Sequence, residues 1–372
     1  MKTPKRTPPR ISPAYFTVPM GTGITSIAIS HVSTAGAWLV IGTAISGLNA
    51  VIFAALVLGY LWRLCVVPEQ LKLDLANPHD ALFFGAVPMA LATLVNATAI
   101  FSHAIFHKTP APALLIGWGI DLCLAIASGA VVPYLMFTRH ANRFENLSVF
   151  WLIPVVPAEV TAASGGVLLP LLPAGDREAI WILSMIAFSL SVPLALGILT
   201  LLFLKFATHS IPLARQGASA WIAVGPLGTG ALAIVELTHE LSASWLNNIP
   251  MVVGAAGALG LIAGLVLWGY GLWWWAIAVA ISWRLLKQSS AFDMGWWAFT
   301  FPLGVFNLAS YEIGAVYSIE FFRLFALAQT ALLALAWVVV TANTARWVLS
   351  RPTRVRPLKL EATDHQAPAL TR

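Results

Sequence analysis

The sequence predicts an all-α integral membrane protein: ten transmembrane helices, paired as five helical hairpins around a central pore. Three observations predict it. Of the 372 residues, 59% are hydrophobic and 10% are charged, whereas soluble domains carry about 25% charged residues. The apolar residues come in long runs, not in the short alternating segments of an outer-membrane barrel. Five prolines, Pro19, Pro88, Pro157, Pro226 and Pro302, recur in similar apolar surroundings at separations of 69, 69, 69 and 76 residues. A fixed period of this kind signals repeated structural units.

Each unit of 69 residues has room for two membrane helices and their loops. A basic, proline-rich tail covers residues 1–12. The run 13–32 carries Pro19 and is read as a membrane helix, not a cleaved signal peptide, because the repeat requires it. It pairs with 34–66. The run 80–104 carries Pro88 and pairs with 112–138; 148–171 carries Pro157 and pairs with 178–207. Pro226 lies in 217–240, which pairs with 249–286, and Pro302 lies in 294–316, which pairs with 321–350. The second run of each pair lacks a central proline, except for Pro193 in the third. The ten-helix domain therefore covers residues 13–350. The polar, proline-bearing tail 351–372 is expected to be disordered, with its basic stretch near an anionic inner leaflet.

Charge tests the count. Three of the 21 Lys and Arg (Lys108, Arg177 and Arg323) fall in loops within hairpins or at the helix ends beside them, and the other 18 lie in the tails, the loops between hairpins or the helix ends beside those. That bias places both termini on the cytoplasmic side, in a multi-pass protein of the plasma (inner) membrane. The net charge of +6 is thus a topology signal, and no nucleic-acid partner is expected.

A proline inside a helix removes a backbone hydrogen bond and kinks the axis. In lipid, the carbonyl this releases is tolerated only where it faces protein or water. Five kinks at one depth predict an inner ring of helices whose prolines line the pore, with the other five helices outside. Two positions after each proline stand Gly21, Ala90, Glu159, Gly228 and Gly304. The four small residues permit close helix approach or line an open lumen. One position before come Val18, Val87, Val156, Gly225 and Phe301. A single aromatic projecting into a narrow passage would plug it, which makes Phe301 a candidate gate; the alternative is ordinary packing between helices.

An ionisable residue at membrane depth is a functional-site candidate because its charge is expensive there. Glu159 and Asp121 are the candidates here. Glu159, protonated at rest, would couple proton movement to transport; the alternative for both is a hydrogen bond to a neighbouring helix. Glu236 and Glu312 each fall ten residues after their proline, about 15 Å along a helix, near the outer mouth. His31, His103 and His239 have no metal-ligand spacing, and Cys65 and Cys123 form no framework, so no metal is expected. No nucleophile–base pair appears at pore depth, and the loops and tails are too short for a sensory domain. These points argue against an intramembrane enzyme or a receptor.

Three stretches carry a resemblance: Phe16-Thr-Val-Pro-Met-Gly-Thr-Gly23, Phe83-Phe-Gly-Ala-Val-Pro-Met-Ala90 and Trp296-Trp-Ala-Phe-Thr-Phe-Pro-Leu-Gly304. They resemble the first, third and ninth helices of the tellurite-resistance/dicarboxylate transporter family, which includes the slow-type plant anion channels. Its gating phenylalanine falls on Phe301. Gly225-Pro-Leu-Gly-Thr-Gly230, together with Asp121, looks closer to the sulfite-exporter and malate-transporter branch. The resemblance covers about residues 13–350. It implies a pseudo-fivefold pore, a homotrimer with one pore per subunit, no cofactor, and transport of an anion such as a C4-dicarboxylate or sulfite. A passive channel for chloride or nitrate and a tellurite-resistance exporter are the alternatives.

Overall fold

The computed structural model describes residues 11–33, 35–140, 144–208, 218–241, 249–286, 292 and 294–350. Ten helices of 12 residues or more lie among them: α1 (Thr17–Ser30), α2 (Gly36–Val66), α3 (Ala86–Phe106), α4 (Ala111–Thr138), α5 (Pro157–Leu168), α6 (Ala174–Thr208), α7 (Val224–Glu240), α8 (Pro250–Leu286), α9 (Thr300–Val316) and α10 (Glu320–Ser350). No strand occurs among the described residues. Two short helices, Gln70–Ala76 and Pro78–Leu82, connect α2 to α3.

The helices form two layers. The odd-numbered helices touch in succession, α1 to α3 to α5 to α7 to α9, and α9 returns to α1, which closes a ring. Each even-numbered helix packs on the odd-numbered helix before it. Burial follows the layers. Every residue of α9 from Thr300 to Ser310 is buried. The outer helices instead expose large apolar side chains, such as Phe137 (81%) and Leu259 (65%). Apolar groups facing outward over long helices suit a hydrocarbon solvent.

Among the described residues, seven helical runs are long and apolar enough to cross a membrane: Gly36–Val66, Pro78–Phe106, Ala111–Thr138, Ala174–Thr208, Ser219–Glu240, Pro250–Arg284 and Glu320–Ser350. The helices α1, α5 and α9 fall short at 14, 12 and 17 residues. The reason is a change of winding at the prolines. Every inner helix is preceded by a 3-10 segment: Pro13–Phe16, Phe83–Gly85, Val149–Leu152, Ala218–Ala223 and Met294–Phe299. The first and last of these run without a break into α1 and α9. At about 2.0 Å per 3-10 residue and 1.5 Å per α residue, the run from Met294 to Val316 reaches about 37 Å.

This corrects the kink expected at each proline. Pro19, Pro88, Pro226 and Pro302 stand third in their α-helices, and Pro157 stands first. The clash with the carbonyl four residues earlier is avoided because the backbone before each proline is wound as 3-10 or turn. The prolines mark five seams near one end of the ring. Prolines within the body of a helix occur instead on the outer layer, at Pro133 and Pro193.

The small residues after the prolines also have a defined place. A Cβ on Gly21 would strike the Thr300 side chain, one on Gly304 the side chain of Ile24, and one on Gly228 would lie 2.8 Å from the Phe306 backbone. These glycines face the neighbouring inner helix and not a lumen. Of the two roles open to them, close approach is the one the structure supports for all three: Gly21 and Gly304 close the α1–α9 seam, and Gly228 the α7–α9 seam. Ala90 is fully buried in α3.

Candidate functional site

The 3-10 segments cluster at one end of the ring. Pro13–Phe16 touches Phe83–Gly85, Val149–Leu152 touches Ala218–Ala223, and that segment touches Met294–Phe299, which reaches α1. The five inner runs therefore start from a common face, with their partial positive ends directed there.

Just inside that face lies a cavity of about 50 Å³. All five repeats contribute to its wall: Thr17 and Met20 from the first, Phe83 and Met89 from the second, Ile153 and Val156 from the third, Gly225 and Pro226 from the fourth, Phe301 and Pro302 from the fifth. Among the described residues the lining is almost wholly apolar and includes no Lys or Arg. Phe301 is 2% exposed. Of the five repeat prolines, Pro226 and Pro302 line this cavity; Pro19, Pro88 and Pro157 are buried around it.

The two carboxyl groups singled out within the membrane lie behind the ring. Asp121 on α4 is 1% exposed, and its Oδ2 accepts a 2.6 Å hydrogen bond from the Thr161 hydroxyl on α5. Trp118, one turn earlier on α4, donates its indole N–H to the Thr161 carbonyl at 2.9 Å. Glu159 is fully buried. One of its oxygens lies 3.9 Å from where a Cβ on Gly230 of α7 would stand, a point that also meets Val192 of α6 and Leu267 of α8. Glu159 therefore points to the junction of α5, α6, α7 and α8, and not into the axial cavity. Ser191 lies beside it but donates its hydroxyl to the Val155 carbonyl at 2.9 Å, so among the described residues neither Glu159 oxygen receives a hydrogen bond.

At the far end of the ring, Glu236 on α7 lies against Gly166 of α5 and within electrostatic reach of Glu312 on α9 and Glu240. His239 lies within electrostatic reach of Glu312, and His239 and Arg177 lie within electrostatic reach of Glu240. The His31 ring packs on Tyr311 with centroids 4.3 Å apart. Among the described residues no group of three or more His, Cys, Asp or Glu is placed to hold a metal ion.

Other features escaped the sequence. At the end of α2, buried Arg63 donates to Gln70, Gln70 donates to Asp74 at 2.6 Å, and Tyr60 donates to the other Asp74 oxygen. This network fixes the α2–α3 connection against the cavity end. Lys205 of α6 donates to the Glu145 and Leu147 carbonyls, holding the approach to the third 3-10 segment. Both depend on pairings between a helix end and a connecting segment, which carry no spacing signal.

Comparison with known proteins places this geometry. The family model described as voltage-dependent anion channel (SLAC1) matches residues 10–345. A sulfite efflux pump, SSU1, of Trichophyton rubrum is 30% identical over 338 residues, covering 89% of this chain and 89% of the relative. An uncharacterized transporter of Methanocaldococcus jannaschii is 23% identical, covering 91% and 94%. A malic acid transport protein of Schizosaccharomyces pombe is 22% identical, covering 75% of this chain and 65% of that protein.

Proposed function

The chain belongs to the voltage-dependent anion channel family, and from that premise we propose that it carries anions along the axis of the five inner helices, past Phe301. One observation carries this reading. Five repeats that are distant in sequence build one cavity, and the single large side chain at the position before the repeat proline stands in its wall. An apolar, uncharged wall gives an anion no tight ligand. Attraction comes from aligned helix dipoles and a basic cytoplasmic face, which suits passage more than retention.

The finer architecture is part of this proposal: ten spans around a pseudo-fivefold axis from the repeat, both termini cytoplasmic in the plasma membrane from the Lys and Arg bias, and, as the family resemblance implies, a homotrimer with a pore in each subunit. The names of the relatives favour sulfite, or a C4-dicarboxylate such as malate, as substrate. The experiment is anion flux in proteoliposomes, comparing sulfite, malate, nitrate and chloride with and without a pH gradient. Sulfite or malate flux above that of empty vesicles supports the reading, and no flux of any of the four ends it.

Fully buried Glu159, whose oxygens receive no hydrogen bond among the described residues, favours a second reading in which transport is coupled to protons. Coupling would then act through the α5–α7 seam and not by contact with the anion. In the same assay a carrier saturates and answers to the proton gradient, whereas a channel follows the anion's electrochemical gradient alone.

A further inference from the structure

The residues before the repeat prolines are Val18, Val87, Val156, Gly225 and Phe301. Phe301 is the large exception and Gly225 the small one. They occupy the same register on α7 and α9, which are neighbours in the ring, and both line the axial cavity. Neither packing nor backbone conformation requires the glycine. A Cβ on Gly225 would meet only the Pro302 ring, at 3.7 and 3.8 Å, which is ordinary contact. Gly21, Gly228 and Gly304, by contrast, each abut atoms that a Cβ would strike. Among the described residues Gly36 is the one glycine with positive φ, so Gly225 is not held in a left-handed conformation. Near a helix start, glycine also weakens the helix relative to alanine. What Gly225 does provide is an open stretch of wall in the cavity that Phe301 also lines.

A buried ring changes rotamer only where the space it will enter is empty, and close-packed interiors offer little. From this geometry we infer that Gly225 is the niche into which Phe301 turns when the passage opens, a positioning residue for the gate. The inference rests on the gate reading above. Met20, Met89 and Met294 line the same cavity, and their flexible side chains yield as the ring moves. Valine at 225, the residue that three other repeats carry, fills the niche and holds Phe301 across the path.

The test is anion flux in proteoliposomes for the parent, Gly225→Val, Gly225→Ala, Phe301→Ala, and each Gly225 variant combined with Phe301→Ala. Gly225→Val is expected to lower flux about tenfold, the order of effect when added methyl groups force side chains from their rotamers, and Gly225→Ala less. Neither should lower flux once Phe301 is alanine, because no ring then needs the space. An equal loss in both backgrounds shows that the added side chain narrows the path or harms the fold, and overturns the niche. Unchanged flux in Gly225→Val overturns it as well. If the valine protein cannot be recovered, the alanine pair decides by the same comparison. Phe301→Ala no faster than the parent defeats the gate itself, an outcome distinct from failure of the niche.

Discussion

The Thr161 hydroxyl on inner helix α5 donates a 2.6 Å hydrogen bond to Asp121 on outer helix α4. The same hydroxyl lies 3.0 Å from the Pro157 carbonyl, and Trp118 holds the Thr161 carbonyl. Two side chains of one outer helix thus clamp the first turn of α5, just past its proline. Asp121→Ala should cost about 1–3 kcal/mol, the usual range for disrupting a buried hydrogen bond to a polar partner. Asp121→Asn should cost less, because its amide oxygen still accepts. Thermal unfolding of the purified protein in detergent measures both. Equal losses would show that the acceptor oxygen is not what matters at this position.

Phe301→Ala should raise anion flux. Burying a phenylalanine is worth about 1.5–3 kcal/mol. If the ring must leave its place for conduction, removing it lowers the barrier by a similar amount, or about tenfold or more in rate. Phe301→Leu, which keeps an apolar plug of smaller size, should fall between the parent and Phe301→Ala. Single-substrate flux under a fixed gradient reads this directly, and a Phe301→Ala protein no faster than the parent would sink the gate.

Gly304→Val should weaken the closure of the ring. Its methyls would be driven into Ile24 across the α1–α9 seam, and overpacking of this kind costs about 1–3 kcal/mol. Ile24→Ala makes room, so the double variant should recover part of the loss. Such non-additivity is the mark of residues in contact. Additive losses in unfolding experiments would mean that the two positions do not share the strain.

The helix runs read from the sequence begin and end within four residues of the helical segments in the structure. They were legible because each run is bounded by proline, glycine or charge and because the repeat fixed the phase. The winding was not legible. A proline announces a lost hydrogen bond, but whether the chain answers with a kink or with a 3-10 turn depends on tertiary packing. Phe301 and Gly225 could be found because the repeat supplies a comparison at one register, and departures from it stand out. The direction of Glu159 could not. Its position two residues after the proline suggested the lumen, because the equivalent residues are small. Gly21, Gly228 and Gly304 instead face neighbouring helices, and Glu159 reaches the α5–α8 junction. Which side of an inner helix faces the axis is fixed by the crossing of all five, and no local pattern records that.

Glu159→Gln separates the two modes of transport. The carboxyl sits fully buried beside Gly230 and Ser191, with no hydrogen bond to either oxygen among the described residues. A charge appearing there would be costly unless the surrounding helices moved to admit a partner, and α5 and α7 are adjacent members of the ring. On the proton-coupled reading, gain and loss of a proton at Glu159 would move the cavity wall without touching the anion. Glutamine has nearly the same shape and cannot titrate. If Glu159 carries the coupling, Glu159→Gln should keep flux down an anion gradient at equal pH on both sides and lose the acceleration that a proton gradient gives the parent. The comparison needs both arms, since loss of flux at equal pH as well would report a damaged fold. A Glu159→Gln protein with the parent's full response to the gradient would leave Glu159 as a packing residue and place any coupling elsewhere.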